Sequence, residues 1–233
     1  MVVKMLYMSP PYAADLAARC CTSAEMPEMN DSTRALEAAC LSGHLSILEH
    51  IHVAFSIEGI SRVCSHQLVR HRLITVSQQS QRYVSMDGFA YATPESIRWA
   101  DEGGMEEVFD TYMSQTSELY EAMTKLQDIP MEDARAVLPN ACCTNMVVSM
   151  NLRECAHICQ LRLCNRAQGE IGGVAVCMSK LVKMALHHYG IYTLDKLFGP
   201  QCGALGYCPE KKTCGKEPTL KELRDAYEGA GNL

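Results

Sequence analysis

Several common devices for targeting and ligand binding are missing from this sequence. No stretch of the 233 residues approaches the roughly 20 consecutive apolar positions of a membrane-spanning helix. The N-terminal MVVKMLYMSPPYAADL lacks the charged start, apolar run and cleavage site of a signal peptide. The expectation is a cytoplasmic protein that engages no membrane. Glycines 169, 172 and 173 do not spell a dinucleotide-binding fingerprint after a strand, and no Walker-type phosphate loop occurs, so neither nucleotide-binding scaffold is expected. There is no Ser-His-Asp spelling, no CxxC pair, no internal repeat, and no convincing linker within residues 1–195. Positive charge is also scarce. A formal charge of -6 argues against a general nucleic-acid binder, whose affinity depends on a basic surface that releases counterions. Any anionic ligand must be met by a local cluster.

Apolar residues make up 48% of the chain, enough for a sizeable core. One domain is expected over residues 1–200, followed by a Cys- and Gly-rich tail over 201–233. Thirteen cysteines in a chain without secretory features read as mostly reduced and buried. Val2 to Met8 reads as a strand ending at Ser9-Pro10-Pro11, and Ala13 to Cys21 as a helix. Asn30, Asp31 and Ser32 are candidate caps for a helix through Leu36 and Cys40 that stops at Gly43. His52 to Ile57 alternates as a strand, and Gly59 separates it from a helix leading to Arg70. A turn-rich connection follows Tyr83, then a long amphipathic helix over Met105 to Asp128 carrying Val108, Phe109, Tyr112, Met113, Leu119, Tyr120, Met123 and Leu126. Met131 to Val137 forms a short helix, and Cys142 to Met150 a strand. A helix from Asn151 has Leu152, Cys155, Ala156, Cys159 and Leu163 as its core stripe. A further helix runs from about Glu170 to His188 with Val174, Val176, Met178, Leu181, Val182 and Met184. The tail is read as flexible, its tip as disordered.

Against this background His66 to Tyr83, HQLVRHRLITVSQQSQRY, concentrates arginine, histidine, Gln and Ser in one segment. Guanidinium forks bind oxyanions bidentately and small hydroxyl and amide donors complete the shell, so the segment suits phosphate or carboxylate recognition. The alternative is a solvated basic turn. The apolar residues on both sides, Ile60, Val63, Cys64 and Leu68 before and Leu73, Ile74 and Val76 after, argue against a free loop. A second candidate is Asn151 through His157 to Arg162, where Asn151 and Arg162, eleven residues apart, project from nearly one side of a helix. Plain amphipathicity is the alternative there. His44, His50 and His52 with Glu49 lack the i,i+4 spacing of a helical zinc site, and no metal is expected. Cys202, Cys208 and Cys214, without a CxxC pair, are weak metal candidates.

Arg70-His71-Arg72, seven residues, then Ser80 with Arg82-Tyr83 two further on, resembles the signature of the flavin-dependent thymidylate synthases. NLREC-H-LRL-N-AQ-E, from Asn151, resembles the family's second signature, and Arg135 in ARAVLP a third. The resemblance covers about residues 1–200. It implies an α/β (α+β) fold, a mostly antiparallel sheet with long helices outside the Rossmann group. It implies conversion of dUMP and methylenetetrahydrofolate to dTMP and tetrahydrofolate with FAD, reduced by NADPH. By position, Arg70, His71 and Arg72 would hold FAD, helped by Asn151 and His157. Ser46 and Glu49, in GHLSILEH, would also lie along the cofactor. Gln67, Gln78, Ser80, Gln81, Arg82 and Arg135 would bind dUMP, chiefly its phosphate. Arg162 would lie against the uracil as the catalytic cation, and Tyr83 and His44 would flank the folate. A homotetramer with shared sites is implied as well. The Pro-Cys-His nucleophile context of the flavin-free thymidylate synthases is missing, which agrees with flavin chemistry. Two positions depart from the family's common spelling: Ser77-Gln78 stands where Asn-Glu is frequent, and Gly169 where Trp is usual.

Overall fold

The computed structural model describes residues 1–100 and 103–230. Four strands form one sheet: β1 (Val2–Met8), β2 (His52–Ser61), β3 (Ile74–Gln78) and β4 (Cys143–Asn151), in the order β1-β2-β4-β3. The pairing of β1 with β2 is antiparallel, since Gly59 lies near Met1 at one end while Ser9 N–H donates to His52 at the other. That of β2 with β4 is antiparallel too, with Gly59 N–H donating to Asn145 Oδ1 and Leu152 N–H donating to Ile51. The antiparallel, non-Rossmann sheet expected from the sequence is therefore present.

The chain folds as two compact units, each discontinuous in sequence. The first comprises Met1–Val3 and Ser56–Val148, the second Lys4–Phe55 and Ser149–Leu233.

In the first unit, Ser61 caps α3 (Arg62–Leu68), its Oγ accepting from Cys64 N–H at 3.0 Å. Gly59 does not separate strand from helix as expected. It lies inside β2 at φ +67, a left-handed conformation that glycine takes without Cβ strain, and the strand resumes to Ser61. β3 is an edge strand, and its neighbourhood is less buried than the run of Leu73, Ile74 and Val76 suggests. Leu73 is exposed and the other two only partly covered. The connection after Tyr83 contains a short α4 (Glu95–Trp99). The expected long helix is α5 (Met105–Glu121), continued by one π turn over Ala122–Leu126. Met113, Thr116 and Tyr120 are its buried positions. The core here is Met86, Phe89, Met113, Tyr120, Ala134 and Cys142, with Phe109 and Met123 packed on it. Val108, Tyr112 and Leu119 belong to the expected apolar set yet remain exposed. Then come α6 (Met131–Ala134) and a 3₁₀ turn, Arg135–Val137.

In the second unit, α1 (Tyr12–Cys20) packs on α2 (Arg34–Leu41). Of the expected caps Asn30, Asp31 and Ser32, only Ser32 serves α2 directly, its Oγ accepting from Arg34 N–H at 3.3 Å. Thr33 occupies the cap position, but its Oγ1 donates to Glu37 Oε1 (3.1 Å) instead of accepting from the first turn, and Asp15 Oδ1, reaching across from α1, accepts from Ala35 N–H (2.8 Å) and Leu36 N–H (3.2 Å). A long-range carboxylate thus takes two of the first-turn N–H groups that a local cap would serve. Gly43, at φ +88, lets the chain leave α2 as expected. A 3₁₀ turn, Leu45–His50, packs against α7 (Leu152–Arg162), which packs in turn on α8 (Gly169–His188). The α7 stripe of Leu152, Cys155, Ala156 and Cys159 is buried, joined by Ile158. On α8 the expected Val174, Met178 and Val182 are buried, but Val176 and Met184 are exposed, and Ile171, Ala175 and Leu186 complete the face. Two helices lie in the tail, α9 (Gln201–Leu205) and α10 (Leu220–Ala230). The expectation for its extreme tip falls on residues 231–233, outside the described residues. All thirteen cysteines are free, but five rather than most are buried.

Candidate functional site

In the first unit α3 ends at Leu68, so Arg70, His71 and Arg72 occupy the turn before β3 rather than the helix. His71 is buried, while both arginines are exposed. Neither guanidinium has a carboxylate partner among the described residues. Two unpaired cations in an acidic chain suit an external oxyanion. Gln67 lies on the last turn of α3. Beyond β3, Ser80 Oγ accepts from Arg82 N–H at 3.2 Å, which leaves its proton to donate. Gln81 is buried against Cys142, with 4.0 Å between amide nitrogen and sulfur.

Arg82 donates through Nε (2.8 Å) and Nη2 (2.7 Å) to Glu132 Oε2. Arg135 Nε donates to the Glu132 backbone carbonyl at 3.0 Å. One residue at the start of α6 thereby orients two guanidinium groups, each keeping N–H donors for a ligand. Arg82 also lies 5.6 Å from the ring centroid of the exposed Tyr83, within cation–π range. Sequence reasoning missed Glu132. Its only local signal is its place three residues before Arg135 in the run PMEDAR.

Gln78 departs from the family spelling and is held firmly. Its Nε2 donates to Ser65 Oγ (3.0 Å) and Thr144 Oγ1 (3.3 Å). Ser56, Glu58, Ser77 and Asn145 border an open groove in this unit along with Gln78 and Gln79.

In the second unit Leu152 N–H donates to Ile51 O at 2.7 Å, joining the start of α7 to the end of the Leu45–His50 turn. This brings His44, Ser46 and Glu49 into the neighbourhood of α7. Arg153 Nη1 pairs with Glu49 Oε1 at 2.5 Å, a contact that the sequence contained without advertising. Asn151 does not project from the helix alongside Arg162. It is the N-cap, and its Oδ1 accepts from Glu154 N–H at 2.9 Å, leaving its amide nitrogen for other partners. His157 is exposed and Arg162 half-buried on α7. Glu154 is buried, and burial pushes its carboxyl above the usual carboxylate range, opposed by the neighbouring His157. Gly169 opens α8 and is exposed, so the missing Trp leaves no hole in the core of this unit.

Also in the second unit, Cys202, Cys208 and Cys214 line one cavity together with Cys164 from the segment after α7. Asn165 Nδ2 lies 3.7 Å from Cys214 Sγ, and Arg166 pairs with Glu210 at 2.6 Å. Among the described residues no three His, Cys, Asp or Glu side chains stand at metal-ligand spacing.

The family profile described as thymidylate synthase complementing protein matches residues 5–186. A flavin-dependent thymidylate synthase of Geobacter sulfurreducens is 42% identical over 224 residues, covering 92% of this chain and 93% of the relative. That of Pyrococcus abyssi is 46% identical over 174 residues, covering 73% of this chain and 70% of the relative. In fold, the chain is similar to a flavin-dependent thymidylate synthase of Helicobacter pylori solved with FAD and dUMP, with a TM-score of 0.64 at 22% identity over 81% of this chain and 97% of that one. A profile match over most of the chain and end-to-end identity above 40% together establish that the chain belongs to the flavin-dependent thymidylate synthase family.

Proposed function

We propose that this protein methylates dUMP reductively to dTMP, with methylenetetrahydrofolate as carbon donor and NADPH as the reductant of bound FAD. The observation that carries this reading is the 42% identity across 92% of the chain to a flavin-dependent thymidylate synthase. The donor set fits the cofactor, because Arg70 and Arg72 offer two exposed guanidinium groups without carboxylate partners among the described residues, as a diphosphate requires. His71, Ser46, Glu49, Asn151 and His157 complete the cofactor contacts in this assignment. FAD, when bound, supplies the transfer of the methylene carbon and hydride, so no protein nucleophile is needed.

The chain's own residues bind and polarise. Arg82 and Arg135, oriented by Glu132, take the dUMP phosphate with Ser80 and Gln81 as further donors. Gln67 and Gln78 contact the nucleotide, and Tyr83 and His44 flank the folate. Arg162 lies against the uracil, where a fixed cation stabilises charge developing on O4 as C5 attacks. Residues 1–200 act as one catalytic domain in this reading. It also has the protein as a cytoplasmic homotetramer. Exposed Val108, Tyr112 and Leu119 on α5 support assembly, since apolar groups at this spacing share one helix face. No described helix is long and apolar enough to cross a membrane.

Purified protein should be yellow or gain flavin absorbance on adding FAD. It should release tritium from dUMP labelled at C5 when given methylenetetrahydrofolate and NADPH. Colourless protein that takes up no FAD overturns the reading, and flavin binding without tritium release leaves only a silent flavin binder. Arg162→Ala should abolish tritium release while FAD stays bound. Loss of FAD instead would show that the role given to Arg162 is wrong.

A further inference from the structure

Ser65 on α3, Gln78 at the end of β3 and Thr144 on β4 form a directional hydrogen-bond relay within the first unit. The Ser65 hydroxyl donates to the Arg62 carbonyl at 3.1 Å, so its oxygen is left to accept. Gln78 Nε2 donates to that oxygen at 3.0 Å and to Thr144 Oγ1 at 3.3 Å. A side-chain amide nitrogen carries two hydrogens, and both are thereby spent. Turning the amide over would set Oε1 against the Ser65 lone pairs, so the orientation is determined by chemistry as well as by shape. Ser65 and Thr144 are buried, whereas Gln78 is partly exposed. The Gln78 oxygen has no protein partner among the described residues and remains within reach of a ligand.

The relay also accounts for glutamine where the family frequently has glutamate. A carboxylate has no hydrogen to give Ser65, and the two oxygens would repel unless the hydroxyl abandoned the Arg62 carbonyl. We propose that Ser65 and Thr144 are positioning residues that make Gln78 a one-way acceptor, selecting a nucleotide by a hydrogen-bond donor, either the uracil imide N–H or the ribose 3′-hydroxyl. The inference rests on the assignment of dUMP as substrate.

Calorimetric titration of the FAD-loaded protein with dUMP, 3-methyl-dUMP and 2′,3′-dideoxyuridine 5′-monophosphate tests it. In the wild type, one analogue should bind about five- to tenfold more weakly than dUMP, the worth of one neutral hydrogen bond. Which analogue suffers identifies the donor. In Ser65→Ala the amide can turn over, and that discrimination should fall to about twofold or less. Thr144→Val should act in the same direction and Thr144→Ser should retain discrimination, provided that thermal melts show each variant folded. A merely structural role would weaken all three ligands alike. Equal discrimination in the wild type, Ser65→Ala and Thr144→Val overturns the inference while leaving the proposed function intact, as does a wild type indifferent to both analogues. Failure of the wild type to bind dUMP at all overturns both.

Discussion

Asp15→Ala tests the packing of the second unit most directly. The carboxylate is fully buried, with Oδ1 accepting from Ala35 N–H and Leu36 N–H and Oδ2 accepting from Arg19 Nε at 2.9 Å. Alanine strands two first-turn donors of α2 and takes one acceptor from Arg19, whose guanidinium keeps the Glu28 carbonyl (3.0 Å) and Asn30 Oδ1 (3.4 Å). A buried donor left unpaired costs about 1–3 kcal/mol. The Ala35 donor is only partly buried and water recovers part of its loss, so a net cost of about 3 kcal/mol is expected. Asp15→Asn keeps an acceptor for both N–H groups and loses chiefly the ion pair, in which the Arg19 side chain is 25% exposed. Its cost should be about 1 kcal/mol. Hydrogen exchange over Arg34 to Leu41 reads the effect locally. Exchange should accelerate roughly 100-fold in the alanine variant and roughly fivefold in the asparagine variant, at 1.4 kcal/mol per decade. Equal acceleration in the two variants would mean that charge pairing, and not helix capping, is what Asp15 contributes.

Three further outcomes follow from the same structure. Arg82→Ala should raise the KM for dUMP about 10- to 100-fold with unchanged FAD absorbance, while its exposed pair with Glu132 makes the stability loss at most about 1 kcal/mol. Steady-state kinetics and urea unfolding check the two halves, and a large stability loss would argue for a structural Arg82. In the native protein Cys20, Cys21 and Cys214 should react fastest with a disulfide reagent near pH 8, and Cys40, Cys64, Cys142, Cys155 and Cys159 slowest. Burial pushes the Cys40 and Cys142 thiols up to about 11, and mass-resolved labelling would expose fast modification of either. Burial also raises the Glu154 carboxyl, so its folded-state pKa lies above the unfolded one. Its contribution is then most favourable below the unfolded carboxyl range and is lost as pH rises through the folded value. Glu154→Gln should therefore gain stability relative to the wild type as the pH is raised from acid to neutral, and parallel melting curves across that range would refute this.

The strands β1 and β4 and the helices α1, α7 and α8 were legible in the sequence because local signals, apolar runs bounded by turn residues or apolar groups at helical spacing, mark each of them. Val2 to Met8 and Cys143 to Asn151 read as extended, and the buried Leu152, Cys155, Ala156 and Cys159 recur at helical spacing. Legibility failed where partners are distant. Asn30 to Ser32 look like caps, but of these only Ser32 accepts from α2, and the acceptor for its next two N–H groups is Asp15 on another helix. Gly59 looks like a terminator, but the pairing of Asn145 with its N–H keeps the strand going. Val108, Tyr112 and Leu119 have the period of a core face, yet among the described residues they remain exposed. A period says which residues share a side and not whether that side meets a neighbour.

The same division holds for the candidate site. By itself the sequence determined the family and the identities of the arginine, histidine and amide groups, because Arg70-His71-Arg72, Ser80 and Arg82-Tyr83 specify residue types at set intervals along one short segment. Only the tertiary structure decided how those groups are held. Glu132 orients Arg82 and Arg135, Arg153 pairs with Glu49, Ser65 and Thr144 polarise Gln78, and Cys164 joins the three tail thiols at one cavity. Most of these supports come from residues tens of positions away in the chain. Hydrogen bonds and ion pairs act over a few ångströms regardless of sequence separation, so the partners exist as partners only once the chain has folded.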